Sequence, residues 1–172
     1  MQRVKPSVFR VALLVLKRSH TPHGSERGLA LFVTSKTTEL KLPSRIEAID
    51  EAATSIARLC SHSGMSEEAT FGVDMAVREA IANAIIHGNQ LDESKLVEVI
   101  VTSSPDSLEI KVHDQGAGFN PEAVADPTAE ENLLKSSGRG IFFVRNFMDE
   151  VYWLTPPEGG TTVRMIKKTA NP

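Results

Sequence analysis

The chain has 172 residues, a formal net charge of -3, 41% hydrophobic residues and a single cysteine, which fits one domain with enough apolar material for a core. An internal disulfide scaffold is excluded because Cys60 has no second cysteine to meet, and a reduced, cytoplasmic setting is the expectation. The longest apolar stretch, Val11 to Leu16, falls far short of the roughly 20 residues that cross a bilayer, so no membrane role is expected.

Charge divides the chain unevenly. Up to Lys36 seven Lys or Arg face one acidic residue, Glu26, whereas the remainder carries 12 basic and 21 acidic residues. A basic leader on an acidic body suits a nucleic-acid arm, a targeting peptide or a solvated tail. Lys17-Arg18 stands where a signal peptide needs small residues, and Ser19 to Gly28 reads as a connector, so a tail without assigned function is the preferred reading.

Regular patterning begins near Thr37. Glu39 to Leu42 alternates as a half-buried strand does, and Pro43 ends it. Ser44 to Glu47 has the form of a capping box opening a first helix, with Ile46, Ile49, Ala53, Ile56 and Cys60 at helical spacing and Gly64 as its stop. Cys60 is thereby a small core residue rather than a reactive thiol. A second helix is predicted from Ser66 to about His87, burying Val73, Ala76, Val77, Ala80, Ile81, Ala84 and Ile85. Glu79, Asn83 and His87 recur every four residues on another side, about 6 Å apart per step.

Val97, Val99 and Val101, then Leu108, Ile110 and Val112, alternate with polar residues around a turn at Pro105 to Ser107, which predicts an antiparallel hairpin. Asp114 to Gly140 is punctuated by Gly and Pro, a length of connection that is usually a functional lid or disordered. An apolar helical run resumes from Ile141 to Met148. Val151 to Leu154 and Thr161 to Ile166 form a second hairpin.

Three clusters carry candidate chemistry. Glu79 and Asn83 offer a base and a hard oxygen ligand on one helix, as magnesium-assisted phosphoryl transfer requires; a solvated helix face is the alternative. The Asp114-Gln115-Gly116-Ala117-Gly118 turn offers a carboxylate to an exocyclic amine, with glycines that admit a ligand to the backbone; a simple hairpin end is the alternative. Ser136 to Gly140, with Gly138, Arg139 and Gly140, precedes a helix and could cradle phosphate or act as a hinge. Neither a P-loop nor a dinucleotide fingerprint is present.

Together these segments resemble the GHKL ATPase and kinase superfamily, and within it the small bacterial anti-sigma-factor serine kinases. VREAIANAIIHGN (Val77 to Asn89) is similar to that group's N box, VHDQGAGFNP and SGRGIFFVRNFMDEV to its two glycine boxes, and Gly159 to Val163 to its final strand motif. The likeness runs from about Thr37 to Lys168. It implies an α/β two-layer sandwich of the Bergerat type, with a mixed, mainly antiparallel sheet and helices on one face. The expected division is a basic extension over residues 1–36 and an ATP-binding kinase domain over residues 37–170.

By the same resemblance Glu79 is the catalytic base toward a substrate serine. Asn83 holds Mg2+ against the phosphates of ATP, Asp114 reads the adenine amine and Thr162 supports that contact. Gly116, Gly118, Gly138 and Gly140 shape the lid and phosphate loop, and Arg139 is a candidate phosphate contact; His87 is given a structural role. The implied protein is a serine kinase and anti-sigma regulator. Its implied partners are a STAS-domain anti-anti-sigma protein, a sigma factor and a second copy of itself, with no direct nucleic-acid contact. A nucleotide-gated binding module without transfer is the rival. The catalytic half of a histidine kinase is a second, for which the leader is too short and too broken to form a phosphoacceptor hairpin.

Overall fold

The computed structural model describes residues 9–13, 35–118 and 139–169. The predicted connector at residues 19–28, most of the predicted lid, and Gly138 lie outside them.

Among the described residues six strands and three helices follow in the order β1 (Phe9–Leu13), β2 (Ser35–Pro43), α1 (Glu47–His62), α2 (Glu67–Asn83), β3 (Leu96–Ser103), β4 (Ser107–His113), α3 (Arg139–Phe147), β5 (Glu150–Leu154) and β6 (Thr162–Lys168), with a wide π-turn over Ala84–Gly88 continuing α2. The strands form one sheet in the order β1-β2-β3-β4-β6-β5. All five pairings are antiparallel, so the expected two-layer sandwich holds while the described sheet contains no parallel pair.

Strand alternation decides the layers. Leu40, Leu42, Val97, Val99, Val101, Leu108, Ile110, Val112 and Met165 are buried on the helix-covered side, each large aliphatic side chain contributing about 1.5–3 kcal/mol relative to exposure. The other face carries ion pairs between neighbouring strands. Lys41 stands opposite Glu98 and meets it at 2.9 Å, and Arg164 Nε reaches Glu109 at 2.7 Å. Small residues let α2 sit between its neighbours: Gly72, Ala76 and Ala80 are buried, and a Cβ on Gly72 would already stand 3.2 Å from Phe147 of α3. Arg78 ties α2 to α1 through Asp50 and bonds Asp74 at 2.8 Å one turn back.

The start of α1 departs from the predicted capping box. No side chain caps that helix, and the Ser44 hydroxyl instead donates to the Lys95 carbonyl at 2.8 Å and accepts from Asn89 at 2.9 Å. A long-range partner outcompetes the local one because Ser44 is fully buried beside the start of β3. Ile46, expected inside, is 57% exposed, since it precedes the first helical turn. Ser66 does cap α2, accepting from Ala69 N at 3.1 Å, and Gly64 takes φ +74° as the stop of α1 requires. Within the basic leader, Phe9–Leu13 adds an edge strand to β2 instead of remaining wholly a tail.

Cys60 is completely buried, and burial pushes its thiol up to about 11. It should therefore resist thiol reagents at pH 8 in the native protein and react only as denaturant unfolds it; rapid native labelling would contradict this placement. Burial by itself would raise the Glu109 carboxyl, but Arg164 and Lys111 outweigh it and hold it below its ordinary 4.5. A carboxyl depressed by folding stabilises the protein above its unfolded value, and that contribution is lost as pH falls through the folded value. Urea unfolding from pH 7 to 3 should show Glu109→Gln about 1 kcal/mol or less weaker than wild type at pH 7, the gap closing below pH 4.5.

Candidate functional site

A cavity of about 280 Å³ opens between α2, the π-turn, α3 and the inner face of the β4-β6-β5 part of the sheet, near the lower end of the roughly 300–1,000 Å³ usual for small-molecule sites. Ala80, Ala84, Val112, Ile141, Val144, Trp153 and Val163 make its apolar wall. The polar groups converge from separate elements.

Glu79 and Asn83 face the cavity from one side of α2, and Asn83 Nδ2 donates to Glu79 Oε1 at 3.1 Å. That bond selects the amide orientation and leaves Asn83 Oδ1 without a partner among the described residues. The regular ladder ends there. Asn89 N bonds Ala84 O at 2.8 Å, five residues back, so the chain widens into the π-turn before His87. His87 still lines the cavity and is exposed.

Asp114 stands at the far end, immediately after β4, and is only 5% exposed. Its Oδ1 accepts from Gly116 N at 2.8 Å and Thr161 N at 3.2 Å, and its backbone N–H reaches Thr161 O at 3.0 Å. Its Oδ2 has no hydrogen bond among the described residues and is left for a donor in the cavity. Space around this carboxylate exists only because of glycine. A Cβ on Gly88 would lie 2.5 Å from Asp114 Cγ, one on Gly116 would lie 2.4 Å from the Gly88 carbonyl oxygen, and one on Gly160 would lie 1.9 Å from the Asp114 carbonyl oxygen.

The remaining predicted positions divide. Gly118 (φ +93°) and Gly140 line the cavity, whereas Gly116 shapes its edge through the packing just described. Arg139 opens α3 two residues before the expected start at Ile141, its side chain lying, like Gly138, outside the described residues. Thr162 is not in the cavity. It pairs with His113 across β4 and β6 and bonds His113 Nδ1 at 3.0 Å, while Thr161, one residue earlier and buried, faces the cavity beside Asp114. Alternation could have shown this, because Thr161 shares its parity with the inward residues Val163 and Met165. Trp153 gave no local signal: it reaches the cavity from the edge strand, with the Arg145 guanidinium 5.0 Å from its ring centre.

These donors suit a magnesium nucleotide. Among the described residues no group of three or more His, Cys, Asp or Glu is placed to hold a metal, but Mg2+ commonly takes one or two protein oxygens and completes its shell with phosphates and water. The amide oxygen of Asn83 beside the Glu79 carboxylate fits that habit. No helix among the described residues is long and apolar enough to cross a membrane.

Residues 42–167 match the model of the histidine kinase-like ATPase domain. The chain belongs to that family. Within it the chain falls in the branch of anti-sigma factors and serine kinases. An anti-sigma F factor of Clostridium perfringens is 37% identical over 98 residues, covering 56% of this chain and 70% of that protein. A serine-protein kinase RsbW of Listeria monocytogenes is 29% identical over 118 residues, covering 65% and 75%. One from Staphylococcus epidermidis is 28% identical over 141 residues, covering 78% and 87%. The relatives therefore include proteins named serine-protein kinases within a histidine kinase-like ATPase family.

Two glycines separate structural from chemical roles. A Cβ on Gly140 would fall 1.6 Å from Glu79 Oε1, yet that neighbour is a side chain able to turn away. Gly140→Ala should keep its stability within about 1 kcal/mol but drive Glu79 off Asn83, lowering any Glu79-dependent transfer by about tenfold or more. Gly160→Ala meets backbone and a left-handed φ of +75°, and should lose about 2 kcal/mol or more in urea unfolding.

Proposed function

We propose that this chain is an ATP:protein serine kinase that also acts as an anti-sigma regulator, phosphorylating a serine on a STAS-type anti-anti-sigma protein and binding a sigma factor. The observation that carries the reading is the pairing of Glu79 with Asn83 on one wall of a cavity whose far end is the half-satisfied Asp114 carboxylate. The names of the relatives support both halves of the activity. A homodimer in the cytoplasm is the assembly and setting proposed with it.

In this mechanism the purine enters the apolar wall and its exocyclic amine donates to Asp114 Oδ2, a contact that neither a guanine nor a hypoxanthine base can make from its 6-position. Thr161 flanks that contact. The phosphates extend toward α2 and the glycine-preceded start of α3, where helix N–H groups favour negative charge. Asn83 Oδ1 would hold Mg2+, which supplies neutralisation of phosphate charge. The substrate serine approaches past Glu79, whose carboxylate takes the hydroxyl proton as the serine oxygen bonds to the γ-phosphorus. The bond from that phosphorus to the β-γ bridging oxygen breaks, and ADP leaves with the electron pair.

Because Glu79 serves transfer rather than base recognition, Glu79→Gln should bind ATP within about threefold of wild type and lose at least about a hundredfold in transfer rate. The assay incubates purified protein with ATP, magnesium and candidate STAS proteins and locates phosphoserine by mass spectrometry. Tight ATP binding by wild type with no transfer to any candidate would favour the nucleotide-gated binding module instead. Equal transfer by Glu79→Gln would remove Glu79 from the base role.

A further inference from the structure

Asn89 follows the π-turn, is 0% exposed, and does not line the cavity. Its carboxamide is nevertheless fully engaged. Nδ2 donates to Ser44 Oγ at 2.9 Å and to Leu96 O at 3.1 Å, and Oδ1 accepts from Gln115 N at 2.7 Å. Gln115 in turn accepts at Oε1 from Leu96 N, at 2.8 Å.

The register explains what this arrangement does. Strands β3 and β4 run antiparallel, with Glu98 opposite His113 at the last described rung. Continued by two residues, the same register would set Leu96 opposite Gln115, joined by backbone hydrogen bonds. Neither forms. The Asn89 amide stands between the Leu96 carbonyl and the Gln115 N–H, and the Gln115 side chain takes the Leu96 N–H. A side chain from the helical element has been inserted into a sheet rung, so the chain after His113 leaves β3 at a defined spacing. Asp114 is the residue at that point of departure.

Resting on the nucleotide-site reading above, we infer that Asn89 is a positioning residue for base recognition. It wedges open the β3-β4 ladder so that the Asp114 carboxylate faces the cavity, and it ties this turn to the end of the same helical element that carries Glu79 and Asn83. The cost of leaving its buried partners unsatisfied gives the wedge its stiffness. Substrate selectivity for a 6-amino purine then depends on a residue that touches no nucleotide.

The test is calorimetric titration of the full chain with ATP and with ITP, whose 6-oxo group cannot donate, for wild type, Asn89→Ala and Gln115→Ala, each with a thermal melt. Wild type should prefer ATP. Asn89→Ala should weaken ATP about tenfold and ITP little, so the preference collapses. Gln115→Ala alters an exposed side chain and should shift the preference the same way by about threefold with little change in Tm. A lowered Tm with an unchanged ATP-to-ITP ratio in Asn89→Ala overturns the inference, as does an unchanged ratio in Gln115→Ala should Asn89→Ala fail to fold. Wild type that binds neither nucleotide overturns the nucleotide-site reading itself, and this inference with it.

Discussion

The site depends on clearing space for one carboxylate. Asp114 is nearly buried, and three stretches of backbone crowd against it: the end of the π-turn at Gly88, its own following turn at Gly116, and the approach to β6 at Gly160. Each would collide with Asp114 or with its neighbour if it carried a Cβ, so glycine at all three positions is a steric condition for the meeting. Once there, Oδ1 is consumed by two backbone N–H groups while Oδ2 stays available. Holding one oxygen rigidly aims the other, and a directional acceptor in an apolar cavity discriminates between ligands far better than a solvated one.

The polar groups of the cavity lie on different layers. Asp114 belongs to the sheet, at the end of β4 beside the start of β6, whereas Glu79 and Asn83 belong to α2. An antiparallel sheet with its inner face covered by helices brings these layers to a fixed separation, and the small residues of α2 bring the helix close to both the sheet and α3. The π-turn is where the two layers connect. It carries the chain from the helix that holds Glu79 to the buried carboxamide of Asn89, which enters the sheet's own hydrogen-bond pattern.

Periodicity made much of this legible. The 3.6-residue rhythm of Val73 to Ile85 and the two-residue rhythm of Val97 to Val101 and Leu108 to Val112 each report which side faces the core, and all these residues are buried. Glu79, Asn83 and Asp114 were readable for a related reason: a polar residue at a fixed offset from an apolar stripe has a known direction. Ser44 departs from its local pattern because a serine three residues before a glutamate has a good local partner, and the choice between that and Lys95 depends on a segment 51 residues away. Thr162 was displaced by one residue. In a strand that single step exchanges the cavity for the opposite face.

Spacing by itself determined which residues of the helices and strands turn inward, and it set Glu79 and Asn83 on one helix and Asp114 at the end of a strand, because those properties follow from local rhythm and side-chain type; the layer architecture was implied by the resemblance of the motifs to the GHKL superfamily. Only the tertiary structure decided that Thr161 rather than its neighbour enters the cavity, that Trp153 reaches it from the edge strand with Arg145 over its ring, and that Asn89 interrupts a sheet rung. These last features are contacts between segments far apart in the chain. No pattern within a single element encodes them, since their geometry exists only after helices and sheet have packed and each buried polar group has found the partner that packing leaves within reach.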